Sequence, residues 1–217
     1  MTEIVEQENR SMIVNMLYLR KSLERARERC RKLEEDAVEL TEKSERDPLT
    51  GLANRYRLTN DSEKIVEQCF AEHKPLSFEI LDIDYFKQYN DRYGHQAGDD
   101  CVRAIAALIR QMESDQIFCA RYGGDEFVII YNGMSAEEVC ERAEKLRQDV
   151  MALHIERRYA EGSFGVTISQ GICHDIPSNG NKNGDFLHVA DQALYRVKRR
   201  GRNRLCMTDI HGREIEV

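Results

Sequence analysis

The sequence predicts an α+β domain, an antiparallel central sheet flanked by helices, preceded by a long N-terminal coiled-coil helix. Three observations carry this reading. The first 46 residues contain neither Pro nor Gly and repeat their apolar positions by sevens. The remaining 171 residues, a common size for one fold, alternate short apolar runs with amphipathic stretches. In their middle, two β runs flank a Gly-rich turn, the pattern of a hairpin and not of a doubly wound parallel sheet.

In the arm, residues 1–46, one row of the repeat reads Val5, Met12, Leu19, Ala26, Leu33 and Leu40. The second reads Asn9, Met16, Leu23, Cys30, Ala37 and Ser44, so ten of the twelve positions are apolar. A 3.5-residue period sustained this long describes a seam between paired helices. A lone helix folded back on the domain is the alternative. Ten basic and eleven acidic residues leave the polar face mixed, unlike a basic arm for nucleic acid or membrane. Asn9 at a core position would fix register.

Asp47-Pro48 ends the pattern, because Pro lacks the amide donor and disfavours helix in the residue before it; the second domain is therefore 47–217. A helix is expected over 56–72, a buried strand over 76–83 and a second helix over 100–112, where Val102, Ile105, Ala106, Leu108 and Ile109 share a face. Strands at 117–120 and 127–131 enclose Tyr122-Gly123-Gly124-Asp125-Glu126. Ser135 caps a helix running to about 153, with Glu137 and Glu138 in its first turn. A strand over 166–173, an exposed loop over 178–184 and a helix over 185–200 complete the reading.

Composition excludes several classes. A net charge of −7 argues against a general nucleic-acid binder. Seven scattered Cys without a C-x-x-C pair read as reduced thiols, hence a cytoplasmic location. No apolar stretch approaches membrane-spanning length, and the start lacks the pattern of a signal peptide. Neither G-x-G-x-x-G nor G-x-x-x-x-G-K-[ST] occurs.

Carboxylates collect at two places. Asp82 and Asp84 end an apolar strand, and Asp125-Glu126 occupy the hairpin turn beside Gly123 and Gly124, which permit close backbone approach. Converging carboxylates fit a hard divalent cation shared with phosphates; acids of an exposed turn fit the spacing equally.

Five segments in order change that balance: Asp47-Pro48-Leu49-Thr50-Gly51-Leu52-Ala53-Asn54-Arg55, the run from Leu81 to Asp91 (LDIDYFKQYND), the run from Gly94 to Asp99 (GHQAGD), Arg121-Tyr122-Gly123-Gly124-Asp125-Glu126-Phe127, and the run from Ala190 to Arg204 (ADQALYRVKRRGRNR). Together they resemble the GGDEF family of diguanylate cyclases over essentially the whole domain. The resemblance implies a palm-like fold related to nucleotidyl cyclases, and condensation of two GTP into cyclic di-GMP with release of pyrophosphate. It implies that Asp82, the Ile83 carbonyl, Asp125 and Glu126 hold magnesium, two ions per GTP with manganese as a substitute. Asp125 or Glu126 then assists deprotonation of the 3′-hydroxyl, one residue or both. It further implies that Asn90 and Asp99 read guanine, that the amides of Phe86 and Lys87 with Gly123 and Gly124 lie at the phosphates, and that His95 lies near the nucleotide, where an ordinary turn histidine fits as well. Lys198 and Arg202, at i and i+4 near a helix end, are expected to point together at the triphosphate. Arg199, Arg200 and Arg204 fit either that role or solvated charge.

Two departures stand out. The R-x-x-D product site is replaced by Ser114 and Ile117, so product inhibition is expected to be missing. Gln170 stands where the family has an apolar residue, which points to a sheet edge or a partner contact. The expected protein is thus a cyclase working as a homodimer through residues 1–46, with cyclic di-GMP receptors downstream. A catalytically silent nucleotide-binding module signalling through the arm is the competing reading.

Overall fold

The computed structural model describes residues 45–158 and 163–216, and within the arm Met16 and parts of 20–32. The chain divides into units 1–44 and 45–217. In the first, the described residues from 20 to 32 are helical and exposed or half-exposed, with Arg20–Glu24 and Arg31–Glu28 ion pairs along the surface. Met16 and Leu23 are exposed; the other ten seam positions, Asn9 among them, lie outside the described residues.

The second unit is built around a five-stranded sheet in the order β2-β3-β1-β6-β7. Its elements are α1 (Arg55–Glu72), β1 (Leu76–Ile83), α2 (Phe86–Tyr93), α3 (His95–Arg110), β2 (Ile117–Gly123), β3 (Glu126–Asn132), α4 (Ala136–Ala152), β4 (Glu156–Arg158), β5 (Ser163–Gly165), β6 (Ile168–Asp175), α5 (Asn183–Arg199) and β7 (Leu205–Thr208). Alternation along β1 and β3 divides the core. Leu76, Phe78, Ile80, Val128 and Ile130 pack against α1 and α5, and Leu81, Ile83, Phe127, Ile129 and Tyr131 against α3 and α4.

The sheet is mixed, which corrects the expectation of a purely antiparallel one. β7 runs parallel to β6, because α5 carries the chain back along the sheet before β7 pairs, as a crossover helix must. Four residues, Leu-Cys-Met-Thr, behind a run of cations carried no readable alternation. The small β4–β5 hairpin was equally unpredicted. So was α2, in which only Tyr89 is buried, leaving no apolar stripe to recognise. α3 begins five residues before the predicted start, at His95. Its N-cap is Gly94 at φ 85°, with no side-chain cap to signal the boundary. α5 begins at Asn183, inside the predicted loop.

Gly171 on β6 sets the closest helix–sheet approach. A Cβ there would collide with the α5 backbone at Ala190 and Leu194, so the glycine lets α5 lie directly on the sheet.

Gln170 is neither at an edge nor free for a partner. β6 lies between β1 and β7, and the side chain is fully buried. Its Nε2 donates to Glu79 Oε1 at 2.7 Å and to the Ala143 carbonyl at 2.9 Å, while Tyr131 Oη donates to Glu79 Oε2 at 2.6 Å. The polar residue therefore answers Glu79, itself fully buried in β1, and neither reads sensibly without the other.

Burial pushes the Glu79 carboxyl above the ordinary glutamate value, against the two donors that favour its anion. A folded-state value raised above the unfolded one means that the fold holds the proton longer. Stability is then lost as pH rises from the ordinary glutamate range through the raised value. Glu79→Gln removes that titration, so its unfolding free energy relative to wild type should improve as pH rises above the ordinary glutamate range in urea titrations. An unchanged difference would refute the argument.

Candidate active site

β1 carries Asp82 at its C-terminal end, and the antiparallel register sets Asp82 directly opposite Glu126, the first residue of β3. The Ile83 amide donates to the Asp125 carbonyl at 3.3 Å. The strand-end acid and the hairpin acids, 43 residues apart between Asp82 and Asp125, thus share one end of the sheet. Gly124 takes φ 54° in the two-residue turn, a conformation that favours glycine.

From α5, held close by Gly171, Lys198 Nζ reaches Asp82 Oδ2 at 2.8 Å. Burial pushes the Asp82 carboxyl up to about 6; Lys198 pulls against this, and the Asp125 and Glu126 charges add to it. Three carboxylates and the Ile83 main chain thus lie at one end of the sheet, hard oxygen groups of the chemical type a divalent cation takes, with the Lys198 ammonium placed as a cation on Asp82. Among the described residues, no three His, Cys, Asp or Glu side chains are gathered closely enough to chelate an ion.

Asn90, near the end of α2, has its Oδ1 buried without a hydrogen-bond partner among the described residues. Gly98 in α3 lies against that oxygen, and a Cβ there would overlap it. Asp99, half-buried, follows directly. Phe86 is half-buried at the start of α2, with Lys87 exposed beside it. His95 opens α3, exposed, with no hydrogen bond or ion pair tying it to these groups.

Lys198 and Arg202 do not meet as i and i+4 on a helix. α5 ends at Arg199, and Arg202 lies beyond it at φ 65°, its amide donating to the Val197 carbonyl at 3.1 Å. The guanidinium instead lies over the Tyr85 ring, 4.4 Å from its centroid. Of the neighbouring cations, Arg200 pairs with Glu214 at 2.7 Å, Arg199 lies 6.0 Å over Tyr195, and Arg204 Nε donates to the Arg202 carbonyl at 3.0 Å.

One supporting group escaped the reading from residue types, and a second, Asp84, was read only as a strand-end acid. Arg121 Nη1 contacts both Asp47 carboxylate oxygens at 3.0 and 3.1 Å, while its Nε and Nη2 donate to the Gly124 carbonyl at 3.1 and 2.7 Å, tying the hairpin turn to the start of the domain. Asp84, 1% exposed, accepts from Thr167 Oγ1 and Ser169 Oγ at 2.7 Å each and from the Asn203 amide at 3.1 Å. Asp-x-Asp at a strand end was the available signal for Asp84. Nothing local couples Arg121 to Asp47, 74 residues away.

A sheet end that brings three acids near a helix-borne cation, beside a Gly-rich turn, defines a class: an α+β domain with an acidic site at one end of its sheet. The chain belongs to the GGDEF family, whose diguanylate cyclase domain model matches residues 44–204. It is 37% identical over 186 residues to diguanylate cyclase DgcP of Pseudomonas aeruginosa, covering 82% of this chain and 27% of that one. It is 35% identical over 182 residues to a diguanylate cyclase of Vibrio cholerae, covering 79% and 53%. The chain therefore spans about a quarter to a half of these curated relatives. Among solved structures, the coiled coil and GGDEF domain of DgcB from Caulobacter crescentus, in complex with c-di-GMP, matches with a TM-score of 0.78 and 30% identity, over 88% of this chain and 99% of that one. Diguanylate cyclase SiaD in complex with its activator SiaC, from Pseudomonas aeruginosa, matches with a TM-score of 0.70 and 27% identity, over 95% and 80%. Among the described residues no helix is long and apolar enough to cross a membrane.

Proposed function

We propose that the chain condenses two GTP into cyclic di-GMP. In each half-reaction, one nucleotide's 3′-oxygen bonds to the other's α-phosphorus, the α–β bridging bond breaks, pyrophosphate leaves, and the hydroxyl proton passes to Asp125 or Glu126. The single observation that carries this reading is the register pairing of Asp82 with Glu126 at the end of the sheet. Asp82, the Ile83 carbonyl, Asp125 and Glu126 would hold two magnesium ions, or manganese in their place, whose chemistry is to acidify the attacking hydroxyl and neutralise the triphosphate. Lys198 and Arg202, with the amides of Phe86 and Lys87 and the Gly123-Gly124 turn, bind the phosphates; Asn90 and Asp99 face the guanine edge, near His95. Two copies present their nucleotides to each other, and pairing through residues 1–46 raises their effective concentration.

The test is incubation of the chain with GTP and magnesium, followed by chromatography. Cyclic di-GMP and pyrophosphate should form, and chelation with EDTA should stop them. GTP that is bound but returned intact would instead favour the silent module. Ser114 and Ile117, where R-x-x-D would stand, bond each other's backbone at 3.1 Å in both directions and bring no guanidinium. Added micromolar cyclic di-GMP should therefore leave the initial rate unchanged, and a clear drop would show that a product site exists.

A further inference from the structure

Several arginines around the site are held by an acid: Arg121 by Asp47, Arg147 by Glu144, Arg200 by Glu214. Arg202 is held differently, for among the described residues no carboxylate pairs with it, and its guanidinium rests on a ring. Its guanidinium carbon lies 4.4 Å from the Tyr85 centroid, with Nη1 3.4 Å from the Tyr85 hydroxyl. Stacking occupies the flat face of a guanidinium, and apart from the Nη1 donation to the Tyr85 hydroxyl it leaves the in-plane N–H groups free to donate. An arginine ordered in this way has surrendered side-chain freedom before any anion arrives, and no acid has to be displaced from it.

The backbone is arranged to make this contact. Tyr85 has φ 60° and Arg202 φ 65°, both left-handed conformations that cost a residue other than glycine energy and persist only where the surroundings enforce them. The enforcing group is Asp84. Its carboxylate, fastened to Thr167 and Ser169, takes the Asn203 amide at 3.1 Å. Asp84 directly precedes Tyr85 and Asn203 directly follows Arg202, so this single tie fixes the two stacking residues within reach of each other. Tyr85 is also the N-cap of α2, immediately before Phe86 and Lys87.

We propose that Tyr85 is a positioning residue for Arg202, holding the guanidinium by its face so that its edge is ready for the triphosphate of the incoming nucleotide. This rests on the phosphate-binding reading of Arg202, and the experiment separates the two. The full chain is titrated calorimetrically with a GTP analogue whose α–β bridge cannot be cleaved, in magnesium, and KM and kcat for GTP are measured in parallel. Tyr85→Asn removes the ring while keeping a residue that tolerates the left-handed backbone; it should weaken analogue binding about fivefold, matching loss of a partly exposed cation–π contact, and raise KM with little change in kcat. Tyr85→Phe keeps the ring and should restore binding to within about twofold of wild type. Arg202→Ala should weaken binding about tenfold or more, and adding Tyr85→Asn to it should cost nothing further. If Arg202→Ala weakens binding but Tyr85→Asn does not, or if the two losses simply add, the role of Tyr85 is overturned and that of Arg202 stands. If Arg202→Ala changes nothing, the phosphate reading fails and the proposal with it.

Discussion

Asp82→Asn will lower cyclic di-GMP formation at least ~1000-fold and at the same time raise the melting temperature of the metal-free chain. The loss follows from the donor set: an amide supplies a weaker, neutral oxygen where a divalent cation needs a carboxylate. The gain follows from the same crowding. Burial, with Asp125 and Glu126 adding to it, lifts the Asp82 carboxyl to about 6 against the pull of Lys198, so at neutral pH the folded chain carries an anion it resists. Asn removes that cost and can still accept from Lys198. Discounted for solvent access, the relief is on the order of 1 kcal/mol, or about 3 °C for a domain of this size. Because the folded value is raised from 3.8 to about 6, the cost is absent well below the unfolded value, where the carboxyl is protonated in both states, builds up as pH rises between the two, and is complete above the folded one. The stabilisation should therefore disappear in melts at about pH 3 or below. A variant that lost activity and also melted lower at pH 7 would mean that Asp82 serves the fold more than the site.

Asp99→Ala should lower kcat/KM for GTP about 100-fold and collapse a wild-type preference for GTP over ATP of about 1000-fold or more. Guanine presents adjacent N–H donors on one edge, and adenine lacks that pair. On the proposed reading the buried, unpartnered Asn90 oxygen, which lies against Gly98, accepts from such a donor, and an acceptor left empty in a buried place costs about 1–3 kcal/mol. ATP would leave it empty, which is what makes the wrong base expensive. Gly98→Ala provides an independent check: its Cβ would drive the Asn90 amide from its place and should erode discrimination with both readers intact. Steady-state rates on the two nucleotides decide the matter. A GTP-to-ATP ratio unmoved by Asp99→Ala would remove Asp99 from base recognition.

Much of this site was legible because its parts lie in short, chemically distinctive segments. β1 was bounded correctly at 76–83 by its mainly apolar run after Pro75, and Ser135 with Glu138 forms a complete capping box at the start of α4. The hairpin acids could be located from Gly-Gly, since a tight turn needs left-handed backbone at Gly124. Legibility failed where the determining partner was distant. Gln170 looked like a surface residue until Glu79, 91 positions away, was found beneath it. Lys198 and Arg202 were expected to meet by helical spacing, but the helix stops between them and each is placed by a residue of the β1 end, Asp82 and Tyr85.

By itself the sequence determined the period of most principal strands and helices, the tight turn, the cap at Ser135 and the residue types available for chemistry, because these depend on interactions within a few positions of the chain. The tertiary structure alone decided that β7 lies parallel to β6, that Asp82 faces Glu126, that Glu79 answers Gln170, and that Tyr85 carries Arg202. Those pairings depend on strand register and on how closely a helix can approach a sheet, and packing of the whole core sets both.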